Sequence, residues 1–187
     1  MSRATAGGRG RARLMVSRLD GWADRGLDPL RGLSTVDRVL YAASEAGNFS
    51  ALWHVAAWLP CLVRPSREEV RRAARTSAAL AIESVLVNGG VKSLFRRARP
   101  SILLVERTRR LRQPKTSSFP SGHASAAMVA AAMLSHGRGR TVSAVAYTAA
   151  GVVSLSRVHV RIHHASDVAG GLALGGVMGL LFRRLLP

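Results

Sequence analysis

The residues best suited to chemistry lie in SRVHVRIHHASD, residues 156–167, between two strongly apolar segments. His163 and Asp167 are four residues apart, one helical turn, so the carboxylate can bind one imidazole nitrogen and leave the other free as a nucleophile. A metal site is the alternative, because His159 and His163 are also four apart and His164 lies beside them. The stretch therefore predicts a nucleophilic histidine, a metal centre or, as a third alternative, a polar turn between two helices that has no chemical role.

A second cluster, PSGH at residues 120–123, predicts an anion site. Ser121 and Gly122 lie where a helix should begin. Its first backbone N–H groups lack intrahelical partners there, and glycine lets a ligand approach the backbone closely. His123 can protonate a leaving oxygen and afterwards take a proton from water.

Three cations, Lys92, Arg99 and Arg157, are predicted to surround the same anion. Arginine's planar fork suits phosphate oxygens, so the expected ligand is a phosphoryl group. These cations disfavour the metal alternative, because like charges weaken the binding of a metal ion. We therefore predict no metal and no cofactor, and structural or substrate-adjacent roles for His159 and His164.

The elements that must position these clusters are apolar around most of their circumference, which is typical of helices buried in a large core or a bilayer. A chain of 187 residues cannot bury so many helices in one core, so the bilayer is favoured. In an antiparallel bundle, all three clusters then fall at one end. The predicted spans are 37–63, 71–95, 122–136, 141–156 and 165–184.

The predicted fold is therefore an all-α, polytopic membrane helix bundle of about five spans, with a single domain over residues 12–187. Residues 1–11 are predicted to be a flexible basic tail. Met15, Leu19 and Trp22 recur at helical spacing among arginines, which indicates an amphipathic helix lying on the membrane surface or, as an alternative, packed on protein.

The charge balance, 28 Lys and Arg against 10 Asp and Glu, predicts anionic partners. Nucleic acid is disfavoured because 48% of the residues are hydrophobic, so the predicted partners are the membrane and an anionic lipid phosphate. The single cysteine, Cys61, excludes an internal disulfide and is predicted to be a buried, inert thiol.

Two further features lie in the apolar segments. Gly171, Gly175 and Gly179 form a flat helix face, which predicts close packing within the bundle or, as the alternative, a homodimer. Glu83 is an ionisable group in a predicted span, so it is a candidate pocket residue unless it only forms an interhelical hydrogen bond.

Together, the clusters resemble the signature of the type 2 phosphatidic acid phosphatase superfamily, which includes membrane lipid phosphatases, soluble acid phosphatases and vanadium haloperoxidases. The resemblance covers residues 92–167, and every position of the family pattern is matched. The matching residues are Lys92, Arg99, Pro100, Pro120, Ser121, Gly122, His123, Ser156, Arg157, His163 and Asp167.

The resemblance implies a phosphohistidine intermediate on His163, oriented by Asp167, with His123 as general acid and base. It also implies phosphate contacts from Lys92, Arg99, Arg157, Ser121 and Gly122, and no metal requirement. The membrane members usually have six spans, so the arginine-rich N-terminal segment stands in place of the first.

The predicted activity is hydrolysis of a phosphate monoester or diphosphate on a polyprenyl-type lipid. In its short length and its arginine- and alanine-rich composition, the chain resembles the actinobacterial decaprenylphosphoryl-5-phosphoribose phosphatases. Undecaprenyl diphosphate, phosphatidylglycerophosphate and phosphatidic acid are alternative substrates. A haloperoxidase is disfavoured by the short, apolar chain, and a non-catalytic lipid-phosphate binder by the presence of both histidines and Asp167.

The expected location is the bacterial inner membrane. Most arginines lie on the same side of the membrane as the three clusters. Because basic loops favour the cytoplasmic side, the site is predicted to face the cytoplasm.

Overall fold

The computed structural model describes residues 3–101, 111 and 114–186, and within them the regular structure is entirely helical, as predicted. Short 3₁₀ or π turns follow α1, α2 and α4. The longer helices are α1 (Arg3–Leu27), α2 (Ser34–Ala46), α3 (Ala51–Val63), α4 (Arg67–Ser84), α5 (Gly122–Ser135), α6 (Arg140–His159) and α7 (Ala165–Leu185).

Helix α5 is the centre of the bundle and is packed against α4, α6 and α7. Its alanine-rich sequence lets the glycine face of α7 approach its backbone. A side-chain carbon added at Gly171 would lie 2.4 Å from the Ser121 carbonyl oxygen, and one at Gly175 would lie 2.3 Å from that of Ser125. The glycine face is therefore occupied within the chain, and a homodimer through it has no support.

The predicted segment 37–63 is two helices, α2 and α3, because the chain turns sharply between them. Phe49 and Ser50 in this turn have φ of 53° and 57°, a left-handed conformation that is uncommon for residues other than glycine. The turn approaches the start of α5 closely, since a side-chain carbon at Gly47 would lie 2.8 Å from the His123 ring. The break thus places α2 and α3 around the PSGH cluster.

The predicted count of five spans is not confirmed. Only α6 and α7, among the described residues, are long and apolar enough to cross a bilayer by length and composition. The apolar helix α5 has 14 residues and is therefore only about 21 Å long, shorter than the hydrocarbon thickness of about 30 Å.

The first helix, α1, begins at Arg3, so it includes most of the segment predicted to be a flexible tail. Adding a residue to an existing helix costs far less than starting one, so the amphipathic part can carry the helix into the basic segment. The outer face is apolar, with Met15 67% and Trp22 77% exposed, whereas Asp20 on the inner face is buried.

Candidate active site

A cavity of about 520 Å³ opens at the end of the bundle where α5 begins. It brings together residues from all three motif clusters, as the antiparallel arrangement predicted. The candidate site residues that line it are Glu83, Lys92, Arg99, Gly122, His123, Arg157 and His163.

His163 lies in the turn between α6 and α7, and its imidazole is almost completely buried. Its Nε2 atom is 3.2 Å from a guanidinium nitrogen of Arg99. Because a guanidinium can only donate, Nε2 must accept and therefore carries a lone pair. Burial lowers the pKa of His163 from its ordinary value near 6.5 to about 4, against the opposing effect of Asp167. The imidazole is thus neutral at neutral pH, with its lone pair facing the cationic cavity.

Asp167, in the first turn of α7, has no solvent exposure and is held by several donors. Its carboxylate accepts from Arg97 at 2.6 Å, from Ser118 Oγ at 2.5 Å and from the His164 backbone N–H at 2.8 Å. The distance from its Oδ2 to His163 Nδ1 is 3.7 Å, which is an ion-pair distance and longer than a hydrogen bond. The predicted pair is therefore adjacent, with the carboxylate facing the nitrogen that does not contact Arg99.

The predicted phosphate-binding cations donate to neutral acceptors among the described residues. Lys92 Nζ donates to the Asn88 side chain at 2.8 Å, and Arg99 donates to backbone carbonyls that include Ile162 at 3.0 Å. Arg157 is buried and donates to Ser44, and its Nε atom has no partner within the described part of the chain. Their positive charges are therefore not cancelled by these contacts, which is the requirement for an anion site.

The N-terminus of α5 adds backbone donors to the cavity. Ser121 caps the helix, and its own N–H donates to the Asp167 carbonyl at 3.0 Å, which ties the start of α5 to that of α7. The backbone at Gly122 lies close to the side chains of the cavity, since a side-chain carbon added there would lie 2.8 Å from Asn88 Oδ1 and 3.4 Å from Lys92 Nζ. The predicted Ser121–Gly122 backbone is therefore adjacent to Lys92.

His123 is oriented by the turn between α2 and α3. Its Nε2 atom lies 3.1 Å from Asn48 Oδ1. Asn48 donates from its Nδ2 to Glu45 at 3.2 Å, which fixes the amide so that its oxygen faces the histidine. His123 Nε2 is consequently the protonated nitrogen, as a proton donor requires.

The remaining motif residues serve the fold around the cavity. Ser156 donates to the Val153 carbonyl of its own helix at 2.6 Å, and Pro120 is buried. Pro100 follows Arg99 directly and lines a second cavity, next to His163.

The neighbouring histidines have structural contacts. His159 is buried and its Nε2 atom is 2.8 Å from Asp37, which links α6 to α2. His164 caps α7 in a reciprocal pair of hydrogen bonds with Asp167. No group of three or more potential metal-ligating His, Cys, Asp or Glu side chains occurs among the residues that the structure describes.

Glu83 is a deeply buried acid in the lining of the cavity, with 1% of its surface exposed. One of its carboxylate oxygens, Oε1, has no hydrogen-bond partner within the described ranges. The sequence indicated a pocket residue or an interhelical hydrogen bond, and the structure places the side chain in the lining of the cavity.

Several site residues lie outside the motifs and were missed from the sequence. They come from α1, from α2, from the turns that follow α2 and α4, and from the loop before α5, where neither spacing nor periodicity indicates proximity to the cavity. Two of them had an available signal: Arg97 lies among the basic residues beside Arg99, and Asn88 is a polar residue in a predicted apolar span. The missed residues are Asp20, Ser44, Asn48, Asn88, Arg97 and Ser118.

Comparisons with solved structures support the fold. LpxE of Aquifex aeolicus matches with a TM-score of 0.68 and 25% identity, over 86% of this chain and 92% of that one. A transmembrane PAP2-type phosphatidylglycerolphosphate phosphatase from Bacillus subtilis matches in fold, with a TM-score of 0.64 and 21% identity over 91% of this chain and 86% of its own.

Sequence comparisons agree with the structural matches. A decaprenylphosphoryl-5-phosphoribose phosphatase of Mycobacterium tuberculosis is 29% identical over 138 residues, which are 74% of this chain and 73% of the relative. The family model described as PAP2 superfamily matches residues 73–187. Because that match takes in more than half of the chain and all three motif clusters, the protein belongs to the PAP2 superfamily.

Proposed function

We propose that the protein is a metal-independent lipid phosphate phosphatase that forms a phosphohistidine on His163. One observation carries the proposal: the lone pair of His163 Nε2 faces a cavity in which Lys92, Arg99 and Arg157 donate to neutral acceptors. A phosphoryl group in that cavity meets a nucleophile and fixed positive charge together.

The proposed reaction has two steps. In the first, His163 Nε2 attacks phosphorus, the bond from phosphorus to the leaving oxygen breaks, and His123, as the imidazolium, gives its Nε2 proton to that oxygen and becomes neutral. In the second, neutral His123 takes a proton from water, whose oxygen attacks phosphorus while the bond from phosphorus to His163 Nε2 breaks, which releases inorganic phosphate and restores the imidazolium. The cations and the α5 N-terminus stabilise the charge on the equatorial oxygens in both steps.

Asp167 has two roles in this proposal. Its negative charge stabilises the positive charge that develops on the imidazole during attack, and its position beside Nδ1 keeps Nε2 unprotonated. Arg97, Ser118 and the His164 N–H hold the carboxylate in place.

For the substrate, we propose a polyprenyl-linked phosphate, with decaprenylphosphoryl-5-phosphoribose as the first choice. The mycobacterial relative supports this choice, and so does Glu83, whose unpartnered oxygen can accept a hydrogen bond from a headgroup hydroxyl such as one on ribose. Such a headgroup would place its phosphate at His163 and its sugar beside Glu83.

We further propose that the protein is an integral membrane protein of the bacterial inner membrane, with its cavity on the basic, cytoplasmic side. Two candidate spans support this location, and so do many exposed apolar side chains, such as Leu62, Val85 and Leu185. A cysteine introduced as Arg96→Cys in a Cys61→Ser background should react with an impermeant maleimide only after the cells are opened.

The activity is tested by phosphate release from a panel of lipids in detergent. The panel contains a phosphoribosylated polyprenyl phosphate, undecaprenyl diphosphate, phosphatidylglycerophosphate and phosphatidic acid. We expect the highest kcat/KM on the first, inhibition by vanadate and no effect of a chelator. Binding without phosphate release from any lipid would instead identify a non-catalytic lipid binder, and inhibition by a chelator would contradict the metal-independent reaction.

A further inference from the structure

A carboxylate on the N-terminal helix reaches the candidate active site. Asp20 lies on the inner face of α1 and is 6% exposed. It accepts from the backbone N–H of Ser166 at 2.8 Å and from the Ser166 hydroxyl at 2.9 Å. Since Ser166 precedes Asp167, α1 is attached to the first turn of the helix that carries the site carboxylate.

Arg97 connects the same two carboxylates. One guanidinium nitrogen donates to Asp20, and the other donates to Asp167 at 2.6 Å and to the Ser166 hydroxyl at 2.7 Å. Arg97 lies outside the family pattern that the sequence matches, and its two nitrogens serve different helices. A planar guanidinium can hold two carboxylates in fixed directions, whereas an ammonium group on a flexible stem cannot.

This arrangement determines how Asp167 faces His163. Arg97 binds Oδ1 of the carboxylate, so Oδ2 is left towards Ser118 and His163. Without Asp20, Arg97 would lose one of the two carboxylates that it contacts among the described residues, and its guanidinium would be held less firmly. The Asp167 carboxylate would then be held firmly at Oδ2 alone, by Ser118 and the His164 N–H, while the phosphate-binding cations stayed in place.

The outer face of α1 has the composition of a surface that lies on anionic lipid. Leu14, Met15 and Trp22 are 64%, 67% and 77% exposed and form its apolar part. Exposed arginines flank them, which suits acidic headgroups at the edge of the hydrocarbon layer. These arginines are Arg11, Arg13, Arg18 and Arg25.

The geometry points to α1 as a positioning element of the active site: when its outer face binds an anionic lipid surface, Asp20 and Arg97 hold Asp167 in the direction that activates His163. Asp20 and Arg97 are positioning residues that act through Asp167 and do not touch the substrate. The inference rests on the proposed phosphatase activity and adds a dependence of turnover on the lipid under α1.

Two single variants and their double variant test whether Asp20 and Arg97 act through Asp167. Asp20→Asn and Arg97→Lys should each lower kcat about 10- to 100-fold, the usual strength of a charge-assisted hydrogen bond, with KM within about twofold of wild type. The double variant should be no slower than the slower single one, because both act through one contact. Inorganic phosphate should inhibit all of these variants as strongly as wild type, because the phosphate-binding cations stay in place, which shows that the cavity is folded.

The matched controls are Asp24→Asn and Arg96→Lys. Asp24 lies one turn further along α1 and pairs with Arg31, and Arg96 is the exposed neighbour of Arg97. Both controls should keep kcat within about twofold of wild type. If Asp20→Asn also keeps its kcat, or if the controls lose as much as the test variants, the positioning role is wrong.

The lipid dependence is measured in nanodiscs of phosphatidylglycerol and of phosphatidylcholine with the same substrate. Wild type should turn over several-fold faster in phosphatidylglycerol, and this ratio should fall to about one in Asp20→Asn. Equal ratios in the two proteins would contradict the inference and leave the phosphatase proposal intact. Absence of phosphate release by wild type in every lipid would instead remove the proposed function itself.

Discussion

Two cavities of similar size lie in the same bundle and have opposite chemistry. The candidate active site, about 520 Å³, is lined by histidines and by cations that donate to neutral acceptors. The other, about 440 Å³, lies among α3, α4, α5 and α6 and is mostly apolar, with Trp53, Met133 and Val145 in its lining. Two arginines, Arg72 and Arg138, are also part of that lining.

The difference between the two cavities lies in what their arginines contact. Arg72 donates to Glu68 at 2.9 Å, and Arg138 pairs with Glu69, so acidic residues neutralise the charge at the apolar cavity. At the candidate site, Arg157 donates to Ser44 and Arg99 to backbone carbonyls. The presence of arginines in the lining therefore does not distinguish the two cavities, whereas the charge of the groups that these arginines contact does.

Removing the nucleophile should give the largest effect. His163→Ala should lower kcat by at least about 10⁴-fold, because the nitrogen proposed to attack phosphorus is removed. His136→Ala is the control, since His136 lies at the far end of α5 and contacts Arg183. Phosphate release by both variants is compared in one detergent, and a His163→Ala enzyme with substantial turnover would show that another group attacks phosphorus.

Replacing one arginine in each cavity tests the difference between the two cavities directly. Arg157→Gln should lower kcat/KM about 100-fold, the usual loss for one donor to a developing anion. Arg138→Gln should leave kcat/KM unchanged and cost about 1 kcal/mol or less of stability, as expected for a partly exposed ion pair. Kinetics and thermal unfolding of both variants are the measurements, and similar kinetic losses would mean that the two arginines do not differ in function.

A variant of Glu83 tests whether the candidate active site binds the headgroup of the lipid through this residue. Glu83→Gln should lower kcat/KM about tenfold for a phosphoribosylated lipid, because an amide group replaces one of the two carboxyl oxygens that can accept from a headgroup hydroxyl. The kcat/KM for phosphatidic acid should change less than twofold, because the headgroup of this lipid has no hydroxyl beyond the phosphate. An equal loss on both lipids would assign Glu83 to the bundle structure instead of the headgroup.

Lowering the pH is expected to have the smallest effect on the site. Because burial lowers the pKa of His163 to about 4, the imidazole stays neutral as the pH falls from neutrality and is protonated only near that value. At about pH 5.5, less than a tenth of His163 should be protonated, whereas an ordinary histidine would be about nine-tenths protonated. The imidazole NMR signals that disappear in His163→Gln report this titration, and a midpoint near 6.5 would contradict the burial of His163.

The sequence predicted the parts of the site that depend on local order along the chain. The His163–Asp167 spacing, the cap at Ser121 and the placement of three clusters at one end all follow from helical period and antiparallel packing. The family resemblance, carried by those same residues, is confirmed by the match over residues 73–187.

What sequence reasoning missed depends on contacts between distant segments. Asn48 meets His123 only because the chain turns left-handed at Phe49 and Ser50, which no local pattern in an apolar stretch indicates. Asp20 meets Arg97 only because α1 packs on α7. The span count is not confirmed for a related reason, since apolar composition alone does not separate a helix covered by its neighbours, such as α5, from one that faces lipid.

The central claim is that His163 carries the phosphoryl group during turnover. The most direct measurement is rapid quenching of the wild-type enzyme with a lipid labelled in its terminal phosphate, followed by mapping of acid-labile, alkali-stable label on the protein. We expect label on His163, and none in His163→Ala. Label on another residue, or phosphate release at full rate with no labelled protein at any time, would contradict the account.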